Sequence, residues 1–138
     1  MTTNELQIGD WVKEENGFPM FVQAIYGDDT VYLDFDGNEG DTWEVDIKDL
    51  RAIPISQELL IGLGFKSFKG GPGTWNMKFE IDDHLIHIEQ LTIQTHAELH
   101  AIIKNAREQF HTHIKVTYLH ELQNIVRLIT SKELEVNL

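Results

Sequence analysis

The sequence predicts an α+β fold, in which a small SH3-like β-barrel over residues 1–55 packs on an α+β unit over residues 56–138. The second unit is expected to carry an antiparallel sheet and two main helices. At 138 residues the chain also fits one compact domain. Three observations lead there. Residues 1–55 alternate short β-favouring runs with tight turn signals. Trp75, Met77, Phe79 and Ile81 alternate with polar residues, the period of a half-buried strand. Two later stretches place apolar residues at helical spacing.

The elements follow in order. Gly9-Asp10 turns the chain into a strand at Trp11-Val12. Asn16-Gly17 and Pro19 punctuate, and Met20–Tyr26 reads as a second strand. Gly27-Asp28-Asp29 turns, and Val31, Leu33 and Phe35 give a third. Asp36 to Asp41 is a loop with two glycines, after which Trp43 and Val45 alternate with acids. Ile47–Leu50 is a short turn, and Arg51–Ile55 is a last strand with Pro54 at its end. So few apolar residues leave the barrel dependent on the second half for burial.

In the second half, Ser56 is an N-cap for a two-turn helix that buries Leu59, Leu60 and Leu63 and stops at Gly64. Phe65–Phe68 is a short strand, Lys69 to Gly73 a loop, and Trp75–Ile81 with His84–Ile88 a hairpin around Asp82-Asp83. Thr95-His96-Ala97-Glu98 matches a capping box. Leu99, Ile102, Ile103, Ala106 and Phe110 follow at helical spacing, so a helix to about His111 is expected. His113–Leu119 reads as a strand and His120–Ile129 as a final helix.

Composition excludes several classes. There is no cysteine, which removes disulfides, thiolate metal sites and cysteine nucleophiles. No run of 18 apolar residues exists to make a transmembrane helix, and the N-terminus lacks the pattern of a signal peptide, so a cytoplasmic protein is expected. The net charge of −12 is uneven, about −10 in residues 1–56 and about −2 in residues 57–138. An acidic first half repels phosphate backbones, so direct nucleic-acid binding is not expected and a basic protein partner is.

Five segments carry a resemblance. They are Leu6-x-Ile8-Gly9-Asp10-Trp11-Val12, Leu50-x-x-Ile53-Pro54-Ile55, Leu59-Leu60 with Gly64-Phe65, Tyr118-Leu119-His120-Glu121-Leu122-Gln123-Asn124, and Thr130-x-Lys132-Glu133-Leu134. In these the chain resembles a family of small uncharacterised proteins of Bacteroidetes-type gut bacteria, their phages and mobile elements. The resemblance spans most of the chain, with a looser middle. It implies a cytoplasmic accessory protein and brings no catalytic residues with it.

Three constellations are candidates for chemistry. Asp34, Asp36, Asn38, Glu39 and Asp41 offer oxygen ligands at near-alternate positions, but the EF-hand register fails: glycine is missing at the sixth place and glutamate at the twelfth. A solvated hairpin tip is the better reading. Among seven histidines, His96 and His100 lie four apart and share one face of the expected helix, a possible clamp for a transition metal. A third ligand would come from His111, His113 or His120. His96-Ala97-Glu98-Leu99-His100 lacks the glutamate that a zincin needs directly after its first histidine. The competing reading places His96, His100, Lys104, Arg107 and His111 on a basic flank facing the acidic barrel, and it ranks first. His120, Glu121 and Asn124 bring imidazole, carboxylate and amide together where strand meets helix, without a nucleophile. The loop Gly70-Gly71-Pro72-Gly73 is followed by a strand and has no Lys-Ser/Thr, so it is no phosphate cradle.

The leading expectation is a non-enzymatic protein-interaction module with an acidic surface and no cofactor. Two alternatives stand beside it: a small metal-dependent enzyme using the clustered histidines, and a DNA-mimicking inhibitor whose carboxylates imitate phosphates.

Overall fold

The computed structural model describes residues 1–70, 73–105 and 111–138. They divide into two units. One joins Met1–Pro54 to Tyr118–Asn124, and the other joins Ile55–Thr117 to Ile125–Leu138. Each is α+β with its own antiparallel sheet.

The first unit carries β1 (Trp11–Glu14), β2 (Met20–Ile25), β3 (Thr30–Asp34), β4 (Trp43–Asp46) and β5 (Leu50–Ala52), in the order β4-β3-β2-β1-β5. The alternating pattern places Val31 and Leu33 inward, and both are fully buried. They pack with Val12, Met20, Val22, Val45, Ile47 and Leu50. A register shift between Val22 and Ala24 marks a bulge in β2. The sheet is an open one, so the α+β class with an antiparallel sheet is present while the strand pairing does not close it into a barrel. The three residues of β5 pair with Val12, Lys13 and Glu14 of β1, which leaves β4 and β5 at opposite edges.

Buried polar groups close this unit over a long stretch of chain. The Gln123 side chain accepts the Trp11 N–H at 2.9 Å and donates to the Gly9 carbonyl at 3.0 Å. Gly9 has a φ of 94°, the left-handed region that glycine enters without a Cβ clash. The fully buried Asp10 carboxylate accepts from the Gln7 N–H at 2.9 Å and from Asn124 at 3.2 Å. Gln123 and Asn124 lie in α2 (Leu119–Thr130), whose residues to Asn124 belong with this unit. The expected helix over 120–129 is therefore present.

In the second unit α1 (Gln57–Gly62) starts where expected, with Ser56 Oγ accepting the Leu59 N–H at 3.1 Å. It ends at Gly64, whose φ is 96°, while the Phe65 N–H returns to the Leu60 carbonyl at 2.9 Å. The sheet comprises β6 (Lys66–Ser67), β7 (Trp75–Ile81), β8 (His84–Ile93), β9 (His96–Asn105) and β10 (His111–Val116), in the order β10-β9-β8-β7-β6. Two-residue turns at Asp82-Asp83 and Gln94-Thr95 connect β7 to β8 and β8 to β9, with Asp82 and Gln94 at positive φ. Gly73, at φ 94°, has no room for a side chain, because a Cβ there would overlap the Gln90 carbonyl oxygen.

The expected helix from Thr95 to about His111 is overturned: residues 96–105 form β9. Leu99 and Ile103 are four apart, a spacing that puts two residues on one face of a helix and also of a strand. The partners decide between the two. β9 pairs with β8 along its full length, from Ile93↔His96 to His84↔Asn105, and with β10 on its other side. Ala101 and Ile103 are buried with Met77, Ile86, Ile88 and Val116 on one face of the sheet. Glu98 does not complete a capping box; its carboxylate turns to histidines instead. Ala106, Arg107 and Phe110 of the expected helix, and Gly71 and Pro72 of the glycine loop, lie outside the described residues.

Replacing Gln123 with alanine strands the buried Trp11 N–H and the part-buried Gly9 carbonyl. At about 1–3 kcal/mol for each unsatisfied group, Gln123→Ala is expected to lower unfolding stability by roughly 2–6 kcal/mol. Urea unfolding checks this, with Leu128→Ala at an exposed position as the control. A loss below about 0.5 kcal/mol, the size of an ordinary surface change, would show that the clamp is not needed.

Candidate functional site

The second sheet has a polar face opposite its apolar one. Paired residues share a face, so the register places Asn76, His87, Glu89, Glu98, His100, His113 and Lys115 together. Glu89 lies directly across from His100, and His100 directly across from Lys115. His96 joins them because residues 96, 98 and 100 follow the two-residue period of a strand. His96 and His100 do share a face, then, through strand geometry and not through a helical turn.

These side chains form a connected network. Glu98 lies 3.0 Å from His96 Nε2 through Oε1 and 3.1 Å from His100 Nε2 through Oε2. Lys115 Nζ is 3.6 Å from Glu98 Oε1. The two imidazole hydrogen bonds, His96 first, hold the Glu98 carboxyl down at about 2. An ionised carboxylate only accepts, so Nε2 of His100 carries the proton it donates. Nδ1 of a neutral His100 is then a lone pair, and the 2.8 Å contact to His113 Nε2 is His113 donating to it. On the other side of the cluster His87 Nε2 lies 2.9 Å from Asn76 Oδ1, which can only accept. Burial pushes the His87 pKa down, against the opposing pull of Glu89.

Glu89 is the exception in this network. Its side chain is only 1% exposed, and Oε2 has no hydrogen-bond partner. Among the described residues, His87 Nε2 stands 3.8 Å from Oε2 and His113 Nε2 3.9 Å from Oε1, both beyond hydrogen-bond range. Among the described residues no group of three His, Asp or Glu side chains is placed to hold a metal ion.

The other candidate residues fall elsewhere. His111 opens β10 opposite Lys104. His120 is buried in the first unit, with its ring stacked near Tyr118 and Nδ1 lacking a hydrogen bond. Glu121 accepts the Tyr118 N–H at 2.9 Å at the start of α2, and Asn124 donates to the Asp10 carboxylate at 3.2 Å. The acidic loop is held by its own bonds: Asp34 Oδ1 accepts from Asn38 at 2.7 Å, and Asn38 Oδ1 accepts the Gly40 N–H at 3.0 Å. Sequence reasoning passed over His87, Glu89 and Glu98 as site residues. Their signal was the i, i+2 spacing of His87 with Glu89 and of Glu98 with His100.

A second surface belongs to the first unit. Phe18 and Phe35 meet edge-on at 5.3 Å between centroids, and Phe35 meets Trp43 at 5.7 Å. Phe18 is 53% and Trp43 43% exposed. Tyr26 and Tyr32 form another edge-on pair at 5.2 Å. The Tyr32 phenol is pushed above its ordinary value, chiefly by the charge of Glu44, its cross-strand partner, with burial and Asp28 adding to it. The Tyr32 ring therefore lies in a negative field. No helix of the described residues is long and apolar enough to cross a membrane. No protein-family model, curated protein or solved structure matches the chain.

Acidification is expected to destabilise the fold in two steps. The unfolded chain protonates at His87 before the folded one does, so stability falls as pH drops below 6.5. The Glu98 contribution is complete above 4.5 and is lost as pH falls towards about 2. Urea unfolding followed against pH should lose its upper step in His87→Gln and its lower step in Glu98→Gln. Profiles parallel to the wild type in both variants would remove these two groups as the cause.

Proposed function

We propose that the protein is a cytoplasmic, non-enzymatic interaction module that takes a basic, extended segment of another protein on the first unit. One observation carries the reading: the aromatic run Phe18–Phe35–Trp43, half open to solvent, adjoins the acidic segment from Asp34 to Glu44. Aromatic faces in a negative field suit Lys and Arg, whose charge is drawn to ring quadrupole and carboxylate alike. Aromatic side chains also supply contact area at small entropic cost, which is why they anchor interfaces.

The meander β1 to β4, followed by the return of β5 to β1, supports relating this unit to SH3-like barrels. Those domains dock extended, proline-rich peptides in aromatic-lined grooves. The acids would add steering and selectivity for basic flanks more than raw affinity.

A titration of the protein with a proline-containing, Lys/Arg-rich peptide, followed by tryptophan fluorescence, tests the proposal. Binding is expected at low salt and should weaken as ionic strength rises from about 0.05 to 0.5 M, where the screening length shortens severalfold. Trp43→Ala should cost about tenfold or more in affinity, the loss of an aromatic anchor. Absence of binding at low salt, or binding indifferent to both Trp43→Ala and Phe18→Ala, overturns it.

A further inference from the structure

We propose, resting on the reading of the first unit as the site of a basic, extended segment, that this segment binds by strand addition. It pairs antiparallel with the free edge of β4 and presents basic and apolar side chains in alternation.

The hydrogen-bond register leaves that edge open. β3 pairs with β4 from Thr30↔Asp46 to Leu33↔Trp43. One step beyond, the Ile47 N–H donates to the Asp29 carbonyl at 2.9 Å, so Asp29 and Ile47 bond across the ladder. Bonded and non-bonded pairs alternate in an antiparallel ladder. Val31 with Val45 and Leu33 with Trp43 are then bonded pairs, while Tyr32 with Glu44 and Thr30 with Asp46 are not. The other side of β3 agrees, since the Thr30 carbonyl accepts the Tyr26 N–H at 2.9 Å, away from β4. The N–H and carbonyl of Glu44 and the N–H of Asp46 therefore point outward from the end of the sheet. Trp43, Glu44 and Asp46 are exposed, so solvent reaches them. The opposite end of this sheet is taken up by the chain itself. There the Arg51 guanidinium holds the Lys48 and Leu50 carbonyls at 2.9 Å, and Pro54 just past β5 is bridged to Tyr118.

Charge selects the occupant. Glu44 and Asp46 are two apart and stand on one face of β4, with Trp43 and Val45 on the other. A second copy paired through the same outward groups would set acid against acid, which disfavours self-association. Lys or Arg opposite Glu44 and Asp46 makes opposite-charge cross-strand pairs instead. The intervening residues fall beside Trp43 and Val45, which suit apolar side chains. The first sheet is antiparallel throughout, and in that arrangement the residue opposite Glu44 exchanges both its N–H and its carbonyl with it. The main-chain N–H groups that bond to β4 thus belong to the basic residues, and those of the apolar residues face away.

Fluorescence anisotropy of a labelled peptide alternating Lys and Val tests this. N-methylation of its central lysines should weaken binding by about tenfold or more, and N-methylation of its central valines by less than about twofold. A peptide of the same composition with lysines and valines in separate blocks should also lose about tenfold. Glu44→Gln should weaken the alternating peptide by about two- to fivefold at low salt. The methylation series uses the unaltered chain, so it does not depend on a variant folding. Strand addition is overturned if the two methylated peptides bind alike, or if only the valine-methylated one fails. It falls alone, with the basic-segment reading intact, if methylation has no effect while Trp43→Ala still weakens binding, or if the proline-containing peptide binds and the alternating one does not. Absence of binding by both peptides removes strand addition and the basic-segment reading together.

Discussion

One side chain, the amide of Gln123, ties the first unit to a segment 112 residues earlier. The N–H of Trp11 lies where the chain enters β1, and the Gly9 carbonyl belongs to the turn before it. Both would be orphaned polar groups inside the protein, and a single amide with one donor end and one acceptor end satisfies them together. Asn124, the next residue, then reaches the buried Asp10. Leu119 and Leu122, fully buried, add the apolar part of the same stretch. Buried polar contacts with matched partners specify one arrangement more narrowly than apolar packing, which accepts many. They also make the unit discontinuous in sequence. Its closure must wait until a late segment of the chain is in place, and that raises the entropic cost of forming its last contacts.

Much of this architecture was legible in the sequence. The strands of the first unit have short alternating runs and turn residues at their ends, and the limits of β7 follow directly from Trp75, Met77, Phe79 and Ile81. Ser56 and Gly64 mark the helix between them because each has a specific local role at a helix end. β9 was not legible. Leu99 and Ile103 fit both periods, and Thr95 with Glu98 copies a helix start. What decides the matter is β8 on one side and β10 on the other, and a pairing partner leaves no mark in the segment itself. The clamp by Gln123 was invisible for a related reason. A glutamine in a helix reads as a neutral surface residue, and only the tertiary fold tells where its amide goes. The open edge of the first sheet was likewise hidden, since turn spacing gives the order of strands and not whether the last one closes.

The candidate site illustrates how a partly wrong element can leave a right neighbourhood. His96 and His100 share a face in the strand as they would have in a helix, because four residues are two strand periods and about one helical turn. The residues between and beside them differ. In a helix Glu98 would point away from both histidines; in β9 it lies between them and bonds to each. Only a strand brings Glu89 opposite His100.

The two units use their carboxylates differently, and this bears on what each can do. In the acidic segment of the first, Asp36, Glu39, Asp41, Glu44 and Asp46 are exposed, so their field is long-ranged but screened by salt. Such charges are suited to attracting a partner and contribute little to holding the fold. In the second unit Glu98 is tied to two imidazoles and Glu89 is sealed within the sheet. Stability alone gives no reason for an acid at position 89. A glutamine of the same shape would avoid burying a charge, and an apolar residue would avoid the unsatisfied oxygen as well. Glu98, the other acid of the cluster, has its hydrogen bonds, so the cost is confined to Glu89. Local breaches of otherwise consistent packing concentrate where a protein needs something other than stability.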